Sequence, residues 1–234
     1  MTSCQCQGIE IQFDRREAAK KLADYHKKGP AGTTRILIAA LKEMGIDGAT
    51  LLDIGGGIGA IQIELLKAGA AGAVSVDAST AYIEAAQREA RDQGLQDRIQ
   101  FHHGDFVELA DKVPPADIVT LDRSLCCYPD MPALVGLSAE RAKHLYGLVY
   151  PRDTWWMRFG MGVLNWLERL RRIPFQVFVH PSMAVESILN SHGLRRRFYR
   201  TSGVWQRRTQ HPGRPGLDQS GSGDLKADSD GRRE

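Results

Sequence analysis

A chain of 234 residues, 42% hydrophobic and 25% charged, has the composition of one globular α/β domain with a single substantial core rather than of two full domains. Its longest wholly apolar run, Ile36 to Leu41, falls far short of the ~20 residues of a bilayer span, and the opening MTSCQCQG lacks the basic-then-apolar order of a secretion signal, so a cytoplasmic protein is expected. Net charge is only +3, yet residues 151–210 hold eleven Arg, no Lys and three acids (Asp153, Glu168, Glu186). Positive charge therefore concentrates late, where it could meet nucleic acid, anionic lipid or an acidic small molecule, or simply water.

Residues 14–44 read as two helices, with Ala18, Leu22 and Tyr25 on one face and Ile36, Leu37, Ala40, Leu41 and Met44 on a second stripe, broken at Gly29-Pro30. They form an N-terminal cap spanning 1–48. From Thr50 the pattern becomes strand, Gly-rich turn, helix, strand, helix, the alternation that builds a parallel sheet covered on both faces. Strands are predicted at Leu51 to Ile54, Val74 to Val76, Ile99 to His102, Ile118 to Leu121, Tyr146 to Val149, Arg196 to Arg200 and Val204 to Arg208. Asp130 followed by Met131-Pro132 makes a helix start, since Asp caps free amides and Pro needs no donor in the first turn; that helix is expected to run to about Lys143.

The main domain thus spans 49–210, interrupted at about 152–174 by an amphipathic segment. From Thr154 to Arg172, Trp156, Phe159, Val163, Trp166, Leu167 and Leu170 recur at helical spacing with Arg on the other side. Three readings stand for it: a core helix, a lid in which Trp155 or Trp156 meets a bulky flat molecule, or a surface that rests weakly on a membrane. A further helix is expected near Ser182 to Ser191. Residues 211–234 have almost nothing to bury and are expected to be disordered.

The chemistry concentrates in LLDIGGGIGA, residues 51–60, where an apolar strand runs into Gly55, Gly56, Gly57 and Gly59 before a helix. Side-chain-free backbone lets the chain turn sharply and brings its amides close to a ligand. Gly55, Gly57 and Ala60 also satisfy the dinucleotide fingerprint in its G-x-G-x-x-A form, which keeps an NAD-dependent reductase in contention. Asp53 weighs against it, because an anion at the strand's end disfavours a pyrophosphate and suits the positive sulfonium and ammonium of S-adenosylmethionine. Asp77, ending the next strand in VSVDAS beside Ala78, is placed to accept from ribose hydroxyls. Asp105, in His103-Gly104-Asp105-Phe106, can accept from an adenine amino group while Phe106 offers an apolar wall; its plainer role is a helix N-cap.

LDIGGGIG, VSVDAS, GDF and the strand DIVTLD resemble motifs I to IV of class I S-adenosylmethionine-dependent methyltransferases, in order, over about residues 50–125. The resemblance implies a Rossmann-like fold: a seven-stranded, mostly parallel sheet with helices on both faces and its last strand antiparallel. It also implies that Asp53, Gly55, Gly57 and Gly59 hold the methionine part, Asp77 the ribose, and Asp105 with Phe106 the adenine, while Asp122 borders the transferring methyl. The wider pattern, with its N-terminal helices and TLDRSLCCYPD, is similar to magnesium-protoporphyrin O-methyltransferase-like proteins.

Methyl transfer from a sulfonium needs alignment and a dry pocket more than a catalytic triad. The reading is methylation of a small or medium-sized molecule on oxygen. A carboxylate acceptor would be positioned by Arg123; a hydroxyl or amine would want a base, for which Asp122, Tyr128 and His180 are candidates. Lys28, Thr34 and Arg35 are placed to reach the cofactor's carboxylate. The competing class is an RNA methyltransferase or nucleic-acid binder using the late arginines, although the fourth strand lacks an N-P-P-Y-type tetrapeptide and no stable nucleic-acid complex is expected. Cys4, Cys6, Cys126 and Cys127 lack the two-to-four-residue separation of zinc thiolates, so no metal site is assigned and reduced thiols are expected.

Overall fold

In the computed structural model, which describes residues 4–170 and 174–212, seven strands form one sheet in the order β3-β2-β1-β4-β5-β7-β6. These are β1 (Thr50–Ile54), β2 (Gly72–Asp77), β3 (Ile99–His103), β4 (Ala116–Asp122), β5 (Ala142–Pro151), β6 (Leu194–Ser202) and β7 (Trp205–Pro212). β1 to β5 run parallel, and β7 alone inserts antiparallel between β5 and β6. This is the Rossmann-like methyltransferase architecture anticipated above, with the strand order reversing at the β1–β4 pair. At such a reversal the connections leave in opposite directions and open a crevice at the strands' carboxyl ends.

Each strand's alternate residues feed two cores. Leu51, Ile118, Leu145 and Val149 face α3 (Gly32–Glu43) and α4 (Ala60–Lys67), meeting Leu37, Leu41, Ile63 and Leu66. Leu52, Val119, Leu121, Tyr146 and Leu148 face α7 (Met131–Glu140) and α9 (Ser182–Ser191), meeting Leu134, Val135, Val185 and Leu189. A sheet buried on both faces is why β1 reads as a continuous apolar run rather than an alternating one.

The N-terminal cap contains the two expected helices, α2 (Arg15–Lys28) and α3, preceded by α1 (Cys4–Gln12), which the sequence pattern did not disclose. Asp14 caps α2 by accepting from the Glu17 amide, and Gly29 ends it at φ 72°, the left-handed region that glycine enters without a Cβ penalty. Ala18 packs on Ala81 and Ala85 of α5 (Thr80–Asp92). The Tyr25 hydroxyl donates to Glu64 at 2.9 Å, and His26 meets the buried Glu89 at 2.6 Å.

Two boundaries differ from expectation. The helix begun at Asp130 stops at Glu140, short of Lys143, because Ala142 already pairs with Ala116 across β4 and β5. β7 continues to Pro212, paired with Leu194, so residues 211 and 212 belong to the sheet; residues 213–234, the rest of the predicted tail, lie outside the described residues. The amphipathic segment is a helix, α8 (Trp155–Leu170); its expected last residues, Arg171 and Arg172, also lie outside them. No helix among the described residues is long and apolar enough to cross a membrane.

Leu37 is fully buried between the cap and the sheet, and its Cδ1 lies 2.9 Å from where a Cβ on Gly147 would stand. Leu37→Ala is expected to cost roughly 2–5 kcal/mol, read as a lower urea midpoint at an unchanged slope.

Candidate active site

The carboxyl ends of β1, β2 and β4 open into a cavity of about 710 Å³. Asp53, Gly55, Gly56, Gly57, Asp77, Ala78, Asp105, Phe106, Asp122 and Arg123 all line it, and the cap contributes Phe13, Lys28, Thr34 and Arg35. Gly59 and His180 are not among the lining residues.

The turn after β1 is built from glycines with a physical reason at each of two positions. Gly57 has φ 57°, and its amide donates to Asp77 Oδ2 at 2.8 Å; a Cβ there would stand 3.7 Å from the Tyr82 ring. Gly55 has φ 69°, and a Cβ would come within 2.5 Å of Ser124 Cβ. Both positions hold a backbone conformation L-residues avoid, and at Gly55 a close approach adds to it. Gly59, φ 86°, serves as the N-cap of α4 and so shapes the turn from outside the cavity.

Asp53 is buried. Its Oδ1 accepts from Thr120 Oγ1 at 2.7 Å and its Oδ2 from Gln62 Nε2 at 3.1 Å. Burial pushes its carboxyl up to about 7; the two hydrogen bonds pull the other way, and the charges of Asp122 and Asp77 add to the rise. Asp77 is pushed up to about 6, chiefly by burial and against the amides of Ser79 and Gly57. Two carboxylates held this close to neutrality stand ready to gain from a cation brought into the cavity.

Asp105 takes the plainer of its two expected roles, the helix N-cap. Its Oδ1 accepts from the Val107 amide at 2.9 Å, capping the short helix α6 (Phe106–Leu109), and its Oδ2 accepts from the Tyr128 hydroxyl at 3.0 Å. Phe106 is buried in the core and reaches the cavity wall from beneath.

At the far end of β4, Asp122 Oδ2 accepts from Thr34 Oγ1 at 2.5 Å, and Arg123 Nε donates to Asp122 Oδ1 at 3.3 Å. Arg123 holds φ 61°, the left-handed region seldom occupied by a bulky residue, and its side chain is 35% exposed against 8% for Asp122. Arg35 donates instead to the carbonyls of Lys28 and Pro30, closing the end of α2. His180 Nε2 lies 3.1 Å from the Leu125 carbonyl and 2.9 Å from that of Tyr128, and burial lowers its pKa. That geometry ties the 174–181 segment to the turn after β4. Trp155 and Trp156 point away from the cavity, which takes Met161 and Leu164 from α8.

Two residues with no sequence motif join the site, and a third, Arg207, is buried outside its lining. Phe13 packs on Tyr82 and Phe175, with ring centroids at 5.4 and 5.5 Å. Ser124 Oγ is buried at the lining with no hydrogen-bond partner among the described residues. Arg207 is fully buried on β7, its three guanidinium nitrogens likewise without partners there, in the strand row that pairs through Val149 to Asp122. The first two follow α1 and β4 into place by tertiary packing alone, and no local pattern marks them.

Asp53→Asn tests the buried charge. A carboxyl raised from 3.8 to about 7 takes up a proton on folding, so its contribution to stability is present at low pH and lost as pH rises through about 7. The amide form removes a penalty of about 4 kcal/mol, and Gln62, whose Oε1 has no hydrogen-bond partner among the described residues, can turn its amide to accept from the new NH₂. The variant is expected to be roughly 1–3 kcal/mol more stable than the parent at about pH 8, with the gain gone by about pH 5, as read from urea midpoints across pH.

Comparison with known proteins bears on the same residues. Residues 51–145 match the family model described as "Methyltransferase domain". Ribosomal protein L11 methyltransferase of Deinococcus radiodurans is 38% identical over 76 residues, 32% of this chain and 28% of that protein, so the chain aligns with little more than a quarter of that relative. Magnesium protoporphyrin IX methyltransferase of Synechocystis, solved with bound SAH, superposes with a TM-score of 0.67 at 18% identity, covering 88% of this chain and 98% of that one. A putative sarcosine dimethylglycine methyltransferase of Galdieria sulphuraria superposes with a TM-score of 0.61 at 14% identity, over 77% and 85% of the two chains. At these identities the structural likeness is one of fold.

Proposed function

We propose that this chain, which carries a class I S-adenosylmethionine-dependent methyltransferase domain, transfers the methyl group to an oxygen of a small or medium-sized, largely apolar acceptor, and that the oxygen is a carboxylate. The single observation behind this reading is one cavity whose lining combines the carboxylates of Asp53, Asp77, Asp105 and Asp122 with the apolar side chains of Phe13, Met161, Leu164, Phe175 and Val177.

The residues fit the cofactor on their own chemistry. The Gly55 and Gly57 turn leaves no Cβ in the way, and Asp53 and Asp77 supply negative charge held at a cost that a sulfonium and an ammonium would relieve. On this reading Asp53 and the turn hold the methionine part, Asp77 and Ala78 the ribose, and Asp105 with Phe106 the adenine, Gly59 acting through the turn. When bound, the cofactor supplies a methyl on an already activated leaving group, open to in-line displacement. Thr34, Asp122 and Arg123 form one hydrogen-bonded cluster where α3 meets the end of β4. Arg123, the more exposed member, is placed to turn toward an acceptor carboxylate, while Phe13, Phe175, Met161 and Leu164 keep water from the reacting atoms.

The acceptor's ionisation state is argued from the candidate bases. Asp122 already accepts from Thr34 through one oxygen and is paired with the Arg123 guanidinium through the other. Tyr128 spends its hydroxyl proton on Asp105, and His180 is held by two carbonyls away from the lining. With these three candidates so engaged, the arrangement suits a nucleophile that is already anionic.

A second reading draws on Arg195, Arg196, Arg197 and Arg200, all exposed on the edge strand β6, as a track for RNA; it predicts RNA affinity that falls steeply with salt. The experiment that separates these readings is label transfer. Incubation with methyl-labelled S-adenosylmethionine and a cell extract is expected to yield a product that releases labelled methanol in mild alkali, as an ester does. Label in an alkali-stable ether or in RNA would end the carboxylate reading.

Three variants calibrate the site. Asp77→Ala and Gly57→Val are each expected to abolish the rise in melting temperature that S-adenosylmethionine gives the parent, and stabilisation of the parent by reduced nicotinamide instead would reassign the cofactor. Arg123→Gln is expected to weaken acceptor KM by roughly tenfold or more, with cofactor affinity unchanged.

A further inference from the structure

Helix α8 has two apolar faces. The inner one is accounted for: Met157 is buried, Met161 and Leu164 line the cavity, and Asn165 holds the backbone of Val177 with two hydrogen bonds of 2.8 Å each. The outer one is not. Trp155, Phe159, Val163, Trp166 and Leu170 follow at steps of four, four, three and four along the helix, with Trp156 and Leu167 beside them. All are exposed, Trp155 by 79%, Phe159 by 71% and Leu170 by 63%. A contiguous apolar face of this size on a water-exposed helix marks an interaction surface.

The rest of the chain is poorly suited to cover it. Residues 213–234 offer only two large apolar side chains, Leu217 and Leu225, among nine charged residues. A second copy is disfavoured by charge, because Arg158 and Arg169 border the outer face on one side of the helix, and face-to-face pairing would gather like charges at its rim. The surroundings carry the same sign. Of the three acids among residues 151–210, Asp153 is held by Arg158 at 2.7 Å, Glu186 by Arg208 at 3.1 Å and Arg196 at 3.6 Å, and Glu168 lies on α8 off the outer face with its Oε2 buried. The Arg152 amide donates to the Val204 carbonyl at 2.8 Å, which brings the β6–β7 hairpin, with its exposed Val204, to the start of α8. Tryptophan and phenylalanine on one side, arginine at the border and no acid on the apolar face are the composition of a helix lying in a lipid headgroup layer.

The cavity reaches this same helix. Leu164 is both exposed and part of the lining, so the cavity opens alongside α8, across from Ile9, Gln12 and Phe13 of the N-terminal region. We infer that α8 docks the protein on an anionic membrane surface with its outer face in the headgroup layer, and that the acceptor is an apolar, carboxylate-bearing molecule drawn from that lipid through the opening beside Leu164. The statement about the acceptor rests on the methyl-transfer reading; the docking does not.

The test uses the full chain with sedimenting vesicles of phosphatidylcholine, alone or with phosphatidylglycerol. Binding is expected to the anionic vesicles, weakening with salt, with a blue shift of tryptophan emission as Trp155 and Trp166 leave water. The double variant Phe159→Gln/Trp166→Gln, which changes only exposed positions, is expected to bind roughly tenfold or more weakly, as is Arg158→Glu/Arg169→Glu, with S-adenosylmethionine still raising the melting temperature of both. Absence of binding to anionic vesicles overturns the docking, as does unchanged binding by the double variant. A dimer in solution that the double variant splits assigns the face to a second copy and overturns it too. Vesicle binding by a protein that ignores S-adenosylmethionine would overturn the methyl-transfer reading alone.

Discussion

A carboxylate buried at the end of a parallel strand is the constraint from which the site follows. Asp53 is taken out of water by the sheet itself, between Thr120 on the neighbouring strand and Gln62 on the helix that the glycine turn starts. Neither neighbour is a cation, so the charge is tolerated rather than neutralised, and its pKa climbs toward 7. Stability is spent locally to keep negative potential where a positive ligand would lie. The turn that follows must pass the same spot without adding side-chain bulk, which is why Gly55 and Gly57 sit at positive φ with Ser124 and Tyr82 close by.

The cap closes the crevice by packing and by hydrogen bonds that cross from it to the sheet. Leu37 and Leu41 seat α3 on the β5 side of the sheet, and this brings Thr34 onto Asp122. Ser79 Oγ donates to the Phe13 carbonyl at 2.7 Å, which holds the start of the chain over the β2 end of the crevice. The 174–181 segment is fixed from the other side through His180, and Phe175 meets Phe13 across the gap. The aromatic walls at Phe13 and Phe175 therefore come from segments remote in sequence that share no motif, whereas the acids Asp53, Asp77 and Asp105 come from three successive strand ends.

Particular residues show how far local pattern carries. β1, the glycine turn and the acids of β2 and β4 were legible because each is a short-range signal: an apolar run, side-chain-free backbone, then a polar residue where the strand leaves the core. α1 was not, since Cys4–Gln12 has no apolar stripe of helical period. The start of β5 is not legible locally, because helix-compatible Ala142 and Lys143 are pulled into extended form by the pairing of Ala142 with Ala116, a contact of register and not of propensity. His180 is a candidate base by residue type; its ring faces two carbonyls that only the folded turn 125–128 brings within reach.

The sequence by itself determined the sheet, the order of its parallel strands along the chain, and the row of acids and glycines at their carboxyl ends, because those depend on periodicity and on the intolerance of a tight turn for a Cβ. The tertiary structure alone decided which groups meet across the crevice: Thr34 on Asp122, Tyr128 on Asp105, Phe13 on Phe175, and an arginine buried at 207. It also decided which face of α8 turns to the cavity and which to the outside, a choice that amphipathic spacing leaves open when both faces are apolar. The physical reason is one of range: backbone conformation answers to neighbours a few residues away, while a pocket is made by side chains that only chain closure brings together.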